Sequence, residues 1–505
     1  MSYYFISIGG TGAKVLESLT HLTACGLLPN NFREDKLFVM AIDPDIGNGN
    51  LKRASAALIA YNEFQKADIG SDTPLFKTEA ELANPLIWNP TEHDKKLDDI
   101  MSYQAYKGTP IGDLYEALYT KDERDTYLNE GFRGRPSIGA AVMAKKVGIS
   151  EEKNGLSMAS APWDKFVNSV NLDVSSGKAA KIFLAGSVFG GTGASGMPTI
   201  ARLLRHAFKS YVETGIDNRK VALGGAMALP YFSFPSNANE NTGIFASSEN
   251  FLTNTKAALK YYALKDVAYD SMYFIGDSEL SSVKNFSVGA STQMNDAHIV
   301  DFYGGLAAVD FFSTDIKELK KYSFISRSSQ ERFLWSDLPR IKLTDGETIG
   351  VKERMADFTR FIFFYLHMIK PVLKDLASGR ISAYKYPWYV DYLKGVNVSD
   401  AMVRSFEDYA ESYTRYIWQL ENWEDKGRSV DFVNRDAFGV SNEDNSERIY
   451  INPSEFPNII REEAGEISIN EVWTRLAERR STEGKGFGKF LRALYDACKN
   501  DRGDM

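Results

Sequence analysis

The residues best suited to chemistry lie in a glycine-rich stretch at 185–196, AGSVFGGTGASG. An apolar run precedes the stretch and a helical pattern follows it at once. Glycine lets main-chain N–H groups face an anion, and the start of a helix adds unpaired N–H donors. The alternative is a plain turn, which needs fewer glycines, since each costs roughly 0.5–1 kcal/mol of chain order. The stretch predicts a phosphate site made by Gly190, Gly191, Thr192, Gly193, Ala194, Ser195 and Gly196.

A second unit of the same order stands at the start of the chain. Residues 3–8 form a strand pattern rich in β-branched and aromatic residues. A glycine turn comes next, and an amphipathic helix pattern follows the turn. The turn is not a Walker A loop, because the glycine spacing before Lys14 is wrong and Val15 occupies the magnesium-binding position. From these residues alone, a nucleotide site and a plain turn are equally consistent. The predicted ligand contacts are Gly9, Gly10, Thr11 and Gly12.

Acidic residues follow the next predicted strand, 37–42, in the sequence Asp43-Pro44-Asp45. Carboxylates at the carboxyl end of a strand in an α/β sheet can accept from a ribose hydroxyl or hold a hydrated magnesium ion. We predict that Asp43 and Asp45 contact the ligand and that Asp45 contacts the metal. A turn capped by these aspartates is the alternative.

A third glycine-bearing loop at 131–141, GFRGRPSIGAA, again opens a helix. Arg133 and Arg135 lie beside its glycines, and paired guanidinium groups can clamp a terminal phosphate. We predict Gly134, Arg135 and Pro136 as ligand contacts. Ordinary solvated surface arginines are the alternative.

Strand and helix patterns alternate through most of the first 300 residues. This alternation predicts a doubly wound α/β domain with its ligand loops at one edge. Residues 295–312 read as one long buried helix, and 351–376 as another. Beyond them we predict charged, aromatic-rich helices, a loop near 427–455 and a final helix at 469–498. The predicted parts are a ligand-binding domain at 1–294, a core helix at 295–313, a linking or second-domain segment at 314–350 and a C-terminal helical region at 351–505.

The composition is that of an ordinary globular protein, with 505 residues, 44% hydrophobic and 25% charged. A net charge of −8 argues against a nucleic-acid protein with a broad basic face. Apolar runs fall far short of the roughly 20 residues of a membrane span, and no signal-peptide pattern is visible. Cys25 and Cys498 lack metal-ligand spacing. We expect a cytoplasmic protein that has no membrane span and binds no nucleic acid.

Taken together, the loops resemble those of the tubulin and FtsZ family and occur in the same chain order. FGGTGASG at 189–196 resembles the family's signature loop, with Phe189 in place of a usual glycine. IGGTGAKV at 8–15, AIDPD at 41–45 and the loop at 131–141 resemble its first, second and third phosphate loops.

Two further segments extend the resemblance to about residue 340. DSMYFIGD at 270–277 resembles the family's strand that ends beside the base, and NDAHIV at 295–300 resembles the start of its core helix. The resemblance implies that Asp277 and Asn295 contact guanine. It also implies bound GTP or GDP with Mg²⁺, self-association into filaments, and hydrolysis completed by an acid from the next subunit.

The chain departs from the family at that acid. The family carries it in a loop after the core helix, as Asn followed by Asp and a further acid. The nearest candidate that we identify is Asp337 in WSDLP, which lacks the Asn and lies farther along the chain. Asp337 would act as the general base. Capping of a turn is the alternative.

Three functions remain in competition. The first is a cytoplasmic tubulin-like GTPase that forms head-to-tail filaments. The second keeps the fold without the filament, as a nucleotide-gated module whose C-terminal helices bind a partner protein. The third is a Rossmann oxidoreductase that uses GGTGAK and Asp43, but Asp43 lies about 30 residues past Gly12, where that fingerprint expects about 20. The third function also leaves the loop at 190–196 unexplained.

Overall fold

The computed structural model describes residues 2–28, 36–66, 73–91, 95–129, 131–132, 134–152, 161–212, 220–233, 251–264, 269–277, 280–282, 291, 293–325, 332–342, 348–397, 400–421, 424–425, 428–443, 446–462, 466–479 and 484–500. In these ranges no helix combines the length and apolar character needed to cross a bilayer.

The strands pair mainly into one central sheet. In chain order they are β1 (Ser2–Ile8), β2 (Lys36–Ile42), β3 (Glu79–Trp88), β4 (Ala180–Ser187), β5 (Val221–Ala228), β6 (Phe232–Ser233), β7 (Ser271–Ile275), β8 (Ser281–Ser282), β9 (Tyr322–Ile325), β10 (Arg340–Lys342), β11 (Thr348–Gly350), β12 (Glu424–Asp425), β13 (Arg428–Ser429), β14 (Phe438–Glu443) and β15 (Ser446–Ile451). Among the described residues, seven strands form a parallel sheet in the order β3-β2-β1-β4-β5-β7-β9.

Helices connect and cover these strands. They are α1 (Gly9–Ala24), α2 (Gly49–Gln65), α3 (Leu97–Met101), α4 (Pro110–Leu118), α5 (Lys121–Arg124), α6 (Pro136–Glu152), α7 (Ala161–Ser175), α8 (Thr192–Ala207), α9 (Lys209–Val212), α10 (Phe251–Leu264), α11 (Ile299–Ser313), α12 (Val351–Phe364), α13 (Lys370–Ala377), α14 (Pro387–Tyr392), α15 (Asp400–Glu421), α16 (Ile469–Glu478) and α17 (Phe487–Cys498).

The sheet confirms the predicted doubly wound α/β class. Strands β1, β4 and β5 are buried at every residue, as expected for parallel strands with helices on both faces. The strand order reverses between β1 and β4, because β2 and β3 lie on one side of β1 and the later strands lie on the other. A crevice opens at the carboxyl ends of the strands at such a reversal, and ligands of open α/β sheets bind there.

Two helical layers cover the sheet. Helices α6, α7 and α8 pack on one face. Helices α1, α2 and α11 pack on the other face, and their apolar side chains continue into one core with α12, α15 and α17. His21 of α1 lies among the tyrosines of α15, with its ring 4.6 Å from that of Tyr416 between centroids. The C-terminal helices therefore complete the core of the sheet's second face.

The long central helix α11 begins at Ile299 rather than at Asn295. The ring of His298 accepts a hydrogen bond from Val300 N at 3.1 Å, and the Asp301 carboxylate accepts one from His298 N at 3.2 Å. This reciprocal cap sets the start of the helix, and apolar periodicity does not reveal it.

The region beyond residue 350 agrees with the prediction in its first helix and differs from it in two later places. A π-helical turn at 365–369 joins α12 to α13, so the predicted helix at 351–376 is continuous. The predicted final helix is two helices, α16 and α17, which are separated by a segment where Gly484 and Gly486 have φ of +94° and +153°. The predicted loop near 427–455 contains the antiparallel hairpin β14–β15.

Candidate functional site

The first and fourth glycine loops meet at the reversal point of the sheet. The first glycines form the first turn of α1 itself, with no turn between β1 and the helix. Gly9 has φ of +71°, and a Cβ there would lie 3.2 Å from Thr192 Cβ. A Cβ on Gly12 would lie 2.4 Å from the carbonyl oxygen of Ala185 in β4, so only glycine fits. The two loops are thus adjacent walls of one crevice.

The loop after β4 presents the start of α8 to this crevice. The helix begins at Thr192 without a side-chain N-cap. Its first-turn N–H groups are therefore available to an anion. Inside the turn, Ser195 Oγ donates to Gly191 O at 2.8 Å. A Cβ on Gly193 would lie 2.5 Å from Ser187 O, whereas Ala194 is only half-buried. Gly196 packs against Ile8 at the end of β1.

The third loop closes against the fourth. A Cβ on Gly191 would lie 2.8 Å from the main-chain nitrogen of Gly134, and Pro136 begins α6. Arg135 is engaged with α5, because its Nε lies 3.8 Å from Glu123 Oε1. Arg133 lies outside the described residues.

The second loop brings two aspartates to the same edge. Asp43 Oδ1 accepts from Asp45 N at 3.1 Å, and Asp45 Oδ1 accepts from Gly47 N at 3.0 Å. Burial, which the hydrogen bond from Asp45 N partly offsets and the charge of Asp45 reinforces, raises the pKa of Asp43 to about 8. Asp43 Oδ2 is buried and has no hydrogen-bond partner among the described residues. Gly10 of the first loop approaches this loop, with its Cβ position 3.2 Å from Asn48 Nδ2.

This pair of carboxylates fits a hydrated magnesium ion better than a fully protein-bound metal. No group of three or more His, Cys, Asp or Glu side chains suited to hold a metal occurs in the described ranges. Mg²⁺ commonly uses one or two carboxylates and takes its other ligands from water and phosphate. Asp45 and the unpartnered oxygen of Asp43 match that donor set.

The two predicted base contacts, Asp277 and Asn295, lie in different parts of the fold. Asp277 follows β7, at the same edge as the loops but separated from β4 by β5. Asn295 is tied to the start of α2, because its N–H donates to Asn50 Oδ1 at 2.8 Å. Its carbonyl accepts from Arg53 Nη1 at 2.9 Å. The segment before α11 is thereby joined to the second loop.

A buried polar cluster beneath the first loop is absent from the sequence prediction. Lys14 Nζ lies 2.8 Å from Asp301 Oδ2, with side chains that are 4% and 0% exposed. Tyr231 donates to Asp301 Oδ1 at 2.8 Å, and the Lys14 ammonium lies 5.0 Å from the centroid of its ring. The cluster fixes the second turn of α1, directly after the glycines, against the start of α11. A lysine among the apolar residues of a predicted helix was the available signal.

Asp337 lies in a 3₁₀ turn at 335–337 and is exposed. Its carboxylate accepts from Leu334 N at 2.8 Å, so it caps its own turn. The turn is held by Tyr303, whose hydroxyl donates to Asp337 O at 3.0 Å. Its orientation is therefore set by its own turn and by α11.

Another pair of acids, Asp315 and Glu318, follows α11 directly. Both are exposed, and Asp315 Oδ1 accepts from Lys317 N at 2.9 Å. The end of α11 lies at the amino edge of the sheet, because Lys181 at the start of β4 donates to Phe312 O at 2.8 Å. The sequence prediction missed this pair, although an Asp with a further acid directly after the predicted core helix was a visible signal.

Comparisons with known proteins add little to this geometry. No known protein-family model matches the chain, and no curated protein matches it. Among solved structures, CetZ from Methanosaeta thermophila strain DSM 6194 is similar to it at 14% identity and a TM-score of 0.24. The alignment covers 55% of this chain and 46% of that chain, so the match spans just under half of CetZ. A likeness at this level does not establish a family.

Proposed function

We propose that the chain binds GTP with Mg²⁺ at the carboxyl edge of its sheet and that hydrolysis is completed by an acid of the next subunit in a head-to-tail filament. The observation that supports this proposal is the convergence of the glycine and acid loops at the strand reversal, where Gly9 approaches Thr192 and Gly191 approaches Gly134. Phosphate groups bind where main-chain N–H groups converge at helix starts.

Each group has a role that follows from its chemistry. The first-turn N–H groups of α1 and α8 would bind phosphate oxygens, and Asp43 and Asp45 would hold the ion. Bound Mg²⁺ supplies charge neutralisation to the phosphate oxygens. The free carboxyl of Asp43 is protonated below a pH of about 8, so a cation at this loop must displace that proton.

The placement of the acids supports the filament in this proposal. The glycine loops lie at the carboxyl edge of the sheet, and Asp315 and Glu318 are exposed beyond the end of α11 at the amino edge. A chain with half of a site at each end completes that site only with another copy, and open head-to-tail contacts make filaments. We place Asp315 ahead of Asp337 as the residue that would orient or deprotonate the attacking water.

The test begins with the nucleotide that copurifies. We expect chromatography of the denatured protein to release GTP or GDP, and pelleting and negative-stain imaging to detect polymer with GTP but not with GDP or without nucleotide. An adenine nucleotide in the extract would contradict the choice of base. Particles that stay monomeric in all three conditions would remove the filament.

A second candidate is a nucleotide-gated module that binds a partner protein. One observation favours it: α15 and α17 pack in one core with α1 and α2, the helices that begin at the first two loops. Loop occupancy could then alter the outer surface of the C-terminal helices. Tight GTP binding with slow turnover that does not rise with protein concentration would favour this module, since hydrolysis completed by a second subunit must rise.

A further inference from the structure

Lys181 is a lysine in an unusual place. It lies near the amino end of β4, is 1% exposed, and directs its ammonium group away from the strand to the end of α11. The ammonium donates to Phe312 O at 2.8 Å and to Phe311 O at 3.4 Å, and it also donates to Thr314 O. All three acceptors are main-chain carbonyls at the end of α11.

These contacts match what the end of a helix lacks. The last carbonyls of an α-helix have no partner inside the helix, and the helix dipole favours a cation there. Lysine is almost never fully buried without such compensation. Burial lowers the pKa of Lys181 to about 8, while Asp315 and Asp310 act in the opposite direction. Thr314 lies between the last residue of α11 and Asp315, so the hydrogen bond from the ammonium to Thr314 O fixes the backbone directly before that acid.

We propose that Lys181 is a positioning residue that fixes the end of α11 and thereby orients Asp315 toward the nucleotide of the next subunit. The inference rests on the proposed function for its catalytic consequence. Its structural part stands alone: Lys181 holds the segment after α11, and the nucleotide loops at the other edge do not depend on it.

The first test measures that structural part by hydrogen exchange in the full chain. Lys181→Met removes the ammonium and keeps most of the apolar stem. We expect amides of residues 313–318 to exchange about ten times faster or more, because the local structure opens more often, while peptides from the glycine loops stay unchanged. Lys220→Met is the matched control, since Lys220 is an exposed lysine that precedes the neighbouring strand β5. Unchanged exchange at 313–318 overturns the inference whether or not the chain hydrolyses GTP.

The second test separates the two edges of the subunit. We expect Lys181→Met to bind GTP like the unaltered chain but to turn it over about 100-fold more slowly, the effect of a misplacement of about 1 Å. Gly190→Ala has an impaired nucleotide loop but an unaltered Asp315. In a mixture of Lys181→Met with Gly190→Ala, the nucleotide loops of the first protein can therefore meet the Asp315 of the second, and turnover should rise well above the sum of the two separate rates. Asp315→Asn should be rescued by the same partner.

The outcomes distinguish the inference from the proposed function. Rescue of Asp315→Asn without rescue of Lys181→Met overturns the role of Lys181 and leaves the filament site standing. Normal turnover by Lys181→Met alone has the same meaning. Absence of GTP turnover in the unaltered chain removes the proposed function, and the exchange measurement then decides the structural role. If Lys181→Met does not fold, Lys181→Gln replaces it in both tests. Its side chain is uncharged and one bond shorter, so we expect the same faster exchange at 313–318 and slower turnover to a smaller degree, and exchange equal to that of the unaltered chain overturns the inference.

Discussion

We expect Gly190→Ala to separate the proposed nucleotide binding from folding better than Gly193→Ala does. Gly190 is half-buried between β4 and α8, and among the described residues outside its two chain neighbours an added Cβ would meet only Ser187 Oγ within 4 Å, at 3.1 Å. A hydroxyl can rotate away from that contact. Gly193→Ala, in contrast, would place its Cβ 2.5 Å from Ser187 O and 2.7 Å from Ser187 N. Backbone atoms cannot yield in this way, so Gly193→Ala disturbs the fold as well.

The expected magnitudes differ for the two processes. A Gly→Ala change at a compatible backbone position stabilises a chain by about 0.4–1 kcal/mol through its unfolded state, which offsets the rotation of Ser187. The unfolding free energy of Gly190→Ala should therefore stay within about 1 kcal/mol. A bound phosphate needs close approach to the backbone, and a methyl group that prevents one charge-assisted hydrogen bond costs about 1.5–3 kcal/mol. The dissociation constant for GTP should then rise about 10- to 150-fold.

The assay is titration calorimetry with MgGTP, paired with denaturant unfolding of the same samples. Gly350→Ala is the matched control, because Gly350 precedes α12 outside the four loops and its Cβ would meet only the flexible side chain of Glu353 among the three nearest atoms. We expect its GTP affinity to equal that of the unaltered chain. An unchanged affinity in a folded Gly190→Ala protein would refute the assignment of this loop to the phosphate site.

Three further predictions concern the buried cluster, the second loop and the acids. Lys14→Met should lower the unfolding free energy, measured in urea, by about 3 kcal/mol, because it leaves the buried carboxylate of Asp301 without its cation. The control is Lys36→Met, at an ion pair with Glu79 whose side chains are 45% and 46% exposed, and it should cost less than about 1 kcal/mol. Equal losses would contradict the prediction that burial makes the Lys14 pair the stronger one. Because the folded pKa of Asp43 is about 8, the folded state holds a proton that the unfolded chain releases above about 4, so the contribution of Asp43 to the unfolding free energy of the nucleotide-free chain falls as the pH rises between these values. Glu421, His21 and His367 also titrate in this range, so the measured quantity is the difference between the unaltered chain and Asp43→Asn. That difference should change by about 1.4 kcal/mol per pH unit, and parallel pH curves for the two proteins would refute the prediction. Asp315→Asn should reduce GTP turnover about 100-fold or more, whereas Asp337→Asn should change it by no more than a few-fold. Turnover is measured as phosphate release at several protein concentrations. A larger loss with Asp337→Asn than with Asp315→Asn would identify Asp337 as the acid instead.

Local patterns predicted the parts of the site that are made of backbone. Glycine at 12, 191 and 193 is required by close approaches to backbone atoms of neighbouring segments, and glycine at 9 by its positive φ. Glycine-rich turns after apolar runs are visible in sequence. The order of strand and helix patterns was sufficient for the fold class. The four loops could therefore be placed on one edge before any contact was known.

The parts that depend on distant pairs were not predictable in the same way. The sequence shows Lys14 as a charged residue on the apolar side of a predicted helix. It gives no sign of the partner, Asp301, which lies far along the chain. The start of α11 is set by the side chain of His298, and Arg135 is drawn to Glu123 on a short helix that no periodicity marks. Side-chain pairing across the fold carries no local sequence signal, so such contacts appear only when the chain is assembled.

The shared core of the second face has a consequence for synthesis of the chain. Phe64 of α2 stacks edge-to-face against Phe487 of α17, with ring centroids 6.5 Å apart, and α1 packs against α15 through His21. Chains emerge from the ribosome from the amino end. The first half of a growing chain therefore exposes the apolar side of α1 and α2 until α15 and α17 have been translated. We expect stalled or truncated chains to be held by chaperones and to acquire nucleotide only after the C-terminal helices have docked.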